Sequence, residues 1–252
     1  MSGHSKWSQI KRKKGAADQK RGQMFSKFAK EITVATRLGG GDPNGNPRLR
    51  AVLIAARAQN MPSENVERAI KRGLGELPGQ SFEESRYEGY GPGGVALLID
   101  CLTDNKKRTV GEIRHILDRN GGSMAESNAV AWNFERKGSI KVSRASCSSD
   151  DMFEKAIEAG AEDVDTDADP YEVITAPQDL QTVAEAVQGM GLKIEAAEVV
   201  MTPKTTVKVE GKHSATLLKL IEALEDHDDV QHVYTNFDMS EEEMAAAAAA
   251  SG

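Results

Sequence analysis

GYGPGGVALLIDCLTDN, residues 89–105, decides the fold class. Val95 to Leu102 is an apolar run with Asp100 as its one polar residue, bounded by glycines on one side and by Asp104-Asn105 on the other. Seven apolar residues and one aspartate between turn signals describe a buried strand, too short for a free-standing helix and without helical spacing. Downstream, 109–120 has the helical period, with Val110, Ile113, Ile116 and Leu117 on one face and Gly121-Gly122 at its end. A second strand is expected over 130–134. Past Lys137-Gly138 the order becomes strand 139–143, helix 150–159, strand 171–175, helix 178–190 and strand 196–201. Repeated β-α-β with a strand pair is the order of a ferredoxin-like sandwich. A strand at 206–210, a helix at 215–225 and a strand at 230–236 then complete the unit opened at Tyr87. On that count 87–138 plus 204–240 form one α+β domain, and 139–203 form another inserted in it. Residues 241–252, ending EEEMAAAAAASG, read as a low-complexity tail that frays.

Upstream of the strand, 76–86 is read as a linker and 1–75 as a small three-helix bundle behind an N-terminal arm. Phe25, Phe28, Ile32 and Ala35 make an apolar stripe from Asp18 onward, and Gly39-Gly40-Gly41 stops that helix. Asn46 caps a second helix with Pro47 at its first position, burying Leu49, Val52, Leu53 and Ala56. A third runs from a cap near Ser63 to Gly73, with Val66, Ala69 and Ile70 inward. The expected class is therefore α+β: an N-terminal three-helix bundle, then two ferredoxin-like α+β domains, one inserted in the other.

Charge is distributed unevenly over this frame. The chain is formally -7, yet residues 1–75 hold 16 Lys and Arg against 5 Asp and Glu. The remaining residues hold 16 against 34. Such a basic segment attracts a polyanion by counterion release. The candidate nucleic-acid contacts are Lys6, Trp7, Lys11, Arg12, Lys13, Lys14, Lys20, Arg21, Lys27, Lys30, Arg37, Arg50, Arg57, Arg68, Lys71 and Arg72. Phe25 and Phe28 fit the core stripe, which leaves Trp7 as the aromatic available for base stacking.

Other constellations are weaker. None of the five histidines stands in a metal-ligand motif, although His227 and His232 flank acidic residues that could hold a divalent ion. A solvated helix end is the plainer reading of that stretch. Glu162 to Asp169 lacks the glycine and closing glutamate of a calcium loop and reads as a polar turn. Tyr87, Gly89, Tyr90, Gly91, Pro92, Gly93 and Gly94 form either a functional loop or a turn feeding the sheet, and match no phosphate-binding fingerprint. No metal and no cofactor are expected. Two distant cysteines, Cys101 and Cys147, no signal-peptide core and no long apolar run point to a reduced cytoplasmic protein without a membrane partner.

GHSKW at 3–7, RGQMFSKFAKEI at 21–32, GGGDPNGNPRLR at 39–50, NMPSENVERAIKRG at 60–73 and YEGYGPGGVALLI at 87–99 resemble the bacterial YebC/PmpR family. Its mitochondrial relative is the translational activator of cytochrome oxidase subunit one. The resemblance spans essentially the whole chain. It departs at MAESNAVA, 124–131, where the family's LGxxGSVA pattern has Gly, Gly and Ser in place of Ala125, Asn128 and Ala129. Asn tolerates the left-handed conformation that glycine supplies, so the fold is expected to survive there. The resemblance implies three domains and no enzymatic activity. It implies either a DNA-binding transcriptional regulator or a ribosome-associated factor that assists translation at difficult stretches such as runs of proline. The expected function is a non-enzymatic nucleic-acid-binding regulator, with DNA or ribosomal RNA as partner. A small-ligand or metal-dependent enzyme is the remote alternative.

Overall fold

The structure, a computed structural model, describes Trp7 and residues 18–250, with the backbone alone at 18–20, 241 and 248–250. It is mixed α+β and separates into two compact units. The first holds Trp7, the chain up to Lys27, Gln80–Glu135 and the chain from Thr202 on. The second holds Phe28–Gly79 and Arg136–Met201.

Helix α1 runs Asp18–Gly39, α2 Pro47–Ala58 and α3 Ser63–Gly73. In the second unit the buried residues of these helices include Ile32, Val34, Ala35, Leu49, Val52, Leu53, Ala56 and Ala69. The turn between α1 and α2 is held by one buried amide. Asn46 Oδ1 accepts from the Leu49 N–H at 3.0 Å as the expected N-cap. Its Nδ2 donates to the carbonyls of Ala35 and Gly40, both at 2.8 Å, which satisfies backbone groups at the end of α1. Thr33 Oγ1 reaches the Ala69 carbonyl and so ties α1 to α3. The expected Ser63 cap is absent: Pro62 occupies the N-cap position without a side-chain bond.

In the first unit β1 (Glu83–Gly91) and β2 (Val95–Thr103) form a nine-residue antiparallel hairpin. β3 (Ser123–Met124) joins β1, and β9 (Val230–Thr235) joins β2, giving the order β3-β1-β2-β9. α4 (Lys106–Arg119) and α7 (Lys212–Glu225) contribute Ile113, Leu117, Leu217, Ile221 and Leu224 to the same buried cluster as Val95, Leu97 and Ile99. The short pair β8 (Val207–Lys208) and β10 (Phe237–Asp238) is parallel.

The second sheet is β5-β6-β4-β7, built from β4 (Phe134–Val142), β5 (Asp163–Asp165), β6 (Tyr171–Thr175) and β7 (Ile194–Pro203). α5 (Ser149–Glu158) and α6 (Leu180–Gly189) cover it with Met152, Ala156, Val183 and Val187. The chain order β-α-β-β-α-β with the first strand central is the ferredoxin-like arrangement.

Four readings from sequence are corrected. The segment 76–86 is not all linker, because β1 begins at Glu83. Among the described residues β3 pairs with β1 at Gly89 and Tyr90, and the polar residues that open β1 pair with β2 on its other side, Glu83 with Thr103 and Glu84 with Leu102. The strand expected at 130–134 is a 3-10 turn, Ala131–Asn133, with Trp132 exposed, and Phe134 opens β4 of the other sheet. The acidic run is partly strand: Asp163–Asp165 pairs with β6, and Asp165 then accepts the N–H groups of Asp167 and Ala168. The tail does not fray before Ala250. α8 (Glu241–Ala250) buries Met244 and Ala247, and Glu243 accepts from the Gly211 N–H and the Ser214 hydroxyl.

Replacing Asn46 by Ala removes a cap and two carbonyl partners together, and is expected to lower stability by about 2 kcal/mol. Asn46→Asp keeps the cap acceptor and loses the donors, so it should recover only part. Urea unfolding followed by helical circular dichroism orders the three proteins.

Candidate nucleic-acid interface

The helices present their cations unequally. Arg57 on α2 and Arg68, Lys71 and Arg72 on α3 are exposed, as is Arg37 in the last turn of α1. Among the described residues no ion pair engages Arg57, Arg68, Lys71 or Arg72. Arg50 is otherwise employed: its guanidinium donates to the carbonyls of Pro43 and Asn44 and meets Glu185 at 3.4 Å. It holds the loop before α2, and a phosphate would have to compete for it. Lys30 is half-buried.

In the first unit Arg21 is exposed, and Lys20 lies in α1. Lys27 donates through Nζ to the Glu225 carbonyl at the end of α7, a favourable place for a cation. Lys6, Lys11, Arg12, Lys13 and Lys14 lie outside the described residues. Trp7 is corrected outright. It is only 6% exposed and belongs to the core that contains Leu97 and Leu217, so its ring is unavailable to a base.

The glycine-rich stretch proves to be strand and turn rather than loop. Tyr87, Gly89, Tyr90 and Gly91 lie in β1, and Pro92–Gly94 turns the hairpin. Gly93 and Gly94 have φ of 79° and 78°, which L side chains seldom adopt. At Gly89 a Cβ would come within 2.9 Å of the Ser123 carbonyl, so the approach of β3 needs glycine there. These positions have a full backbone account.

Glu88, which sequence reasoning passed over, is a buried carboxylate at the centre of this region. It accepts the N–H groups of Asn128, Val130 and Ala131 at 2.6, 2.7 and 2.9 Å. Burial alone pushes its pKa up, but the three N–H donors outweigh this and hold it below the ordinary value of 4.5. Asn128 has φ 68°, the left-handed conformation anticipated for the family's glycine. The departure at MAESNAVA thus keeps the turn.

The histidine cluster is also occupied. Glu112, His227 and Asp229 place possible metal ligands within 4.8 Å of one another. However, His227 Nδ1 accepts the Asp229 N–H at 3.1 Å, while Nε2 faces Glu112 at 2.9 Å. Asp229 Oδ2 receives Arg108 and the Thr109 hydroxyl, both at 2.8 Å. A cation here would face the Arg108 guanidinium and break an assembled network, so the donor set fits hydrogen bonding better than a metal. Cys101 is core, and burial pushes the Cys147 thiol up, away from reactivity. Among the described residues no helix is long and apolar enough to cross a membrane.

Helices rich in Lys and Arg followed in sequence by two α+β sheets define a mixed α+β class of protein built from several parts. The chain belongs to the TACO1/YebC family: residues 5–76 match the TACO1/YebC protein N-terminal domain, and 82–237 match the TACO1/YebC second and third domain. A relative from Geobacter sulfurreducens, named "Probable transcriptional regulatory protein", is 55% identical over 244 residues, covering 97% of this chain and 98% of its own. One of the same name from Chlorobaculum tepidum is 52% identical over 246 residues, with the same coverage. The crystal structure of a conserved hypothetical protein from Aquifex aeolicus superimposes with a TM-score of 0.84 at 46% identity, covering 89% of this chain and 93% of that one.

Glu88→Gln is expected to cost about 2 kcal/mol at neutral pH, because a buried amide replaces one acceptor by a donor facing N–H groups. With its folded pKa depressed, Glu88 stabilises above its unfolded value of 4.5 and stops doing so as pH falls through the lower folded value. Thermal melts of both proteins should therefore converge in acid and stay separated above about pH 5.5.

Proposed function

We propose that this protein is a non-enzymatic, nucleic-acid-binding regulator of gene expression that acts through the basic face of its N-terminal helices. One observation carries the reading. Arg37, Arg57, Arg68, Lys71 and Arg72 are exposed on helices whose opposite residues are buried, in a chain of net charge -7. Five further cations at 6–14 precede them in sequence without a single acidic residue. Opposed charge elsewhere in the chain makes that segment the place for a polyanion. The names of the relatives support transcription as the setting, and a DNA partner is our reading of that setting. Two free cysteines suit a reducing cytoplasm.

Ribosomal RNA is the second reading, favoured by the kind of residue exposed. On the helices the exposed groups suited to a polyanion are Lys and Arg, while the amide of Asn46 is buried and the exposed amides of Asn44, Gln59 and Asn60 lie in the connecting turns. Phosphate contacts position a protein without reading sequence, which suits an RNA recognised by shape.

Changing Arg57, Arg68, Lys71 and Arg72 to Gln is expected to weaken binding and flatten the dependence of log K on log salt by about one unit per lost phosphate contact. Changing Lys11, Arg12, Lys13 and Lys14 to Ala should act in the same direction with the melting temperature nearly unchanged. Unaltered affinity at low salt in both variants would remove the basis of the proposal. Co-sedimentation with ribosomes at physiological salt, compared with a duplex DNA shift in the same buffer, separates the two partners.

A further inference from the structure

The chain has two tryptophans, and the one buried in the core leaves the other conspicuous. Trp132 is 66% exposed on the 3-10 turn that precedes β4. Its indole Nε1 donates to the Ala129 carbonyl at 2.9 Å. The Tyr90 hydroxyl, from β1, reaches that same carbonyl at 3.4 Å, and Tyr90 is itself 40% exposed. Both polar tips are thus tied to one backbone oxygen, and much of each ring is left to solvent. The carbonyl sits in a turn fixed on either side of Ala129 by the Glu88 carboxylate, through Asn128 before it and Val130 after it. Asn133, next to Trp132, is clamped to Thr205 by bonds of 2.8 to 3.1 Å. An exposed aromatic pair held this firmly loses little conformational entropy when something stacks on it.

The charges beside the pair indicate what stacks. On the Trp132 side the Lys204 N–H donates to the Asn133 carbonyl at 2.7 Å, and Lys204 is exposed. Glu126 is the exposed acid of the same turn, while Glu88 is engaged internally. Aromatic faces beside an exposed lysine can take single-stranded nucleic acid, with the bases on the rings and a phosphate on the cation.

We propose that Trp132 and Tyr90 form a stacking platform for unpaired nucleobases, a contact separate from the basic helical face. The proposal rests on nucleic acid being the partner and adds that the partner offers single-stranded bases. Duplex DNA cannot present its base faces to such a platform without being opened, so single-stranded nucleic acid is its ligand.

The test uses the full chain carrying Trp7→Phe, which makes Trp132 the sole indole reporter. Titration with a single-stranded oligonucleotide of about ten nucleotides should quench its fluorescence, and the matching duplex should not. Trp132→Ala in the native background should weaken the single strand about tenfold, and Trp132→Phe should restore most of the affinity. The salt slope should be unchanged in both, whereas neutralising the basic helices changes that slope. An unquenched Trp132 with the oligonucleotide bound, or equal affinity for Trp132→Ala with its melting temperature intact, overturns the platform and leaves the basic-face reading standing. Quenching by a proline-rich peptide and not by the oligonucleotide also overturns it, since such peptides dock on Trp and Tyr surfaces. Quenching by the single strand with no salt-slope change in the helix variants upholds the platform against the basic face.

Discussion

The side chain of Asn133 is the contact on which this topology depends. Its Oδ1 accepts the N–H and hydroxyl of Thr205, its Nδ2 donates to the Thr205 carbonyl, and its own carbonyl accepts from Lys204. Phe134 begins the inserted sheet and Pro203 ends it, so these bonds join the chain where it leaves the first unit to where it returns. Asn236 reinforces the junction by donating to the Thr205 carbonyl and accepting the Ala96 N–H from β2. Asn133 and Asn236 are buried while Lys204 and Thr205 are exposed, and the backbone there has left its own sheet. Without the two amides the polar atoms would lack partners, a cost comparable to that of a lost hydrogen bond for each. A long insertion is tolerated because its ends are brought together locally, and closure entropy grows only slowly with length.

The same economy of buried side chains recurs elsewhere. Asn46 closes the α1–α2 turn, Glu88 closes the 128–131 turn, and Asp229 gathers Arg108 and Thr109 beside β9. Each is a polar side chain bridging segments that secondary structure leaves unpaired. Rigidity at these points matters for binding, because contacts on a fixed frame lose less entropy than contacts on mobile loops. The exposed cations of α2 and α3 sit on helices fixed in this way, and Trp132 sits on a turn fixed in this way.

Much of the fold was legible because it is written in local periodicity. β6 was placed to the residue, and α2 was placed with its cap and its four buried residues. β1 was missed because its opening residues, Glu83 and Glu84 among them, are polar and exposed and look like linker. α8 was missed because an alanine run carries no period, and only Met244 and Ala247 reveal that it packs. On the functional side, composition announced the basic segment, but composition could not tell that Arg50 and Lys27 serve carbonyls.

By itself the sequence determined the α+β class, the helical start, the buried strand 95–102 (one residue short of the observed β2) and the opposition of charge between the N-terminal segment and the rest. Those follow from side-chain period and count, which are properties of neighbours along the chain. Only the tertiary structure decided which tryptophan is hidden and which is displayed, since the buried Trp7 stands among polar neighbours (SKWSQ) and the exposed Trp132 among mostly apolar ones (AVAWNF), the reverse of what local hydropathy suggests. It also decided what Glu88 does, because its partners lie 40 to 43 residues away. Burial and hydrogen bonding between distant segments are set by packing, and no local pattern encodes them.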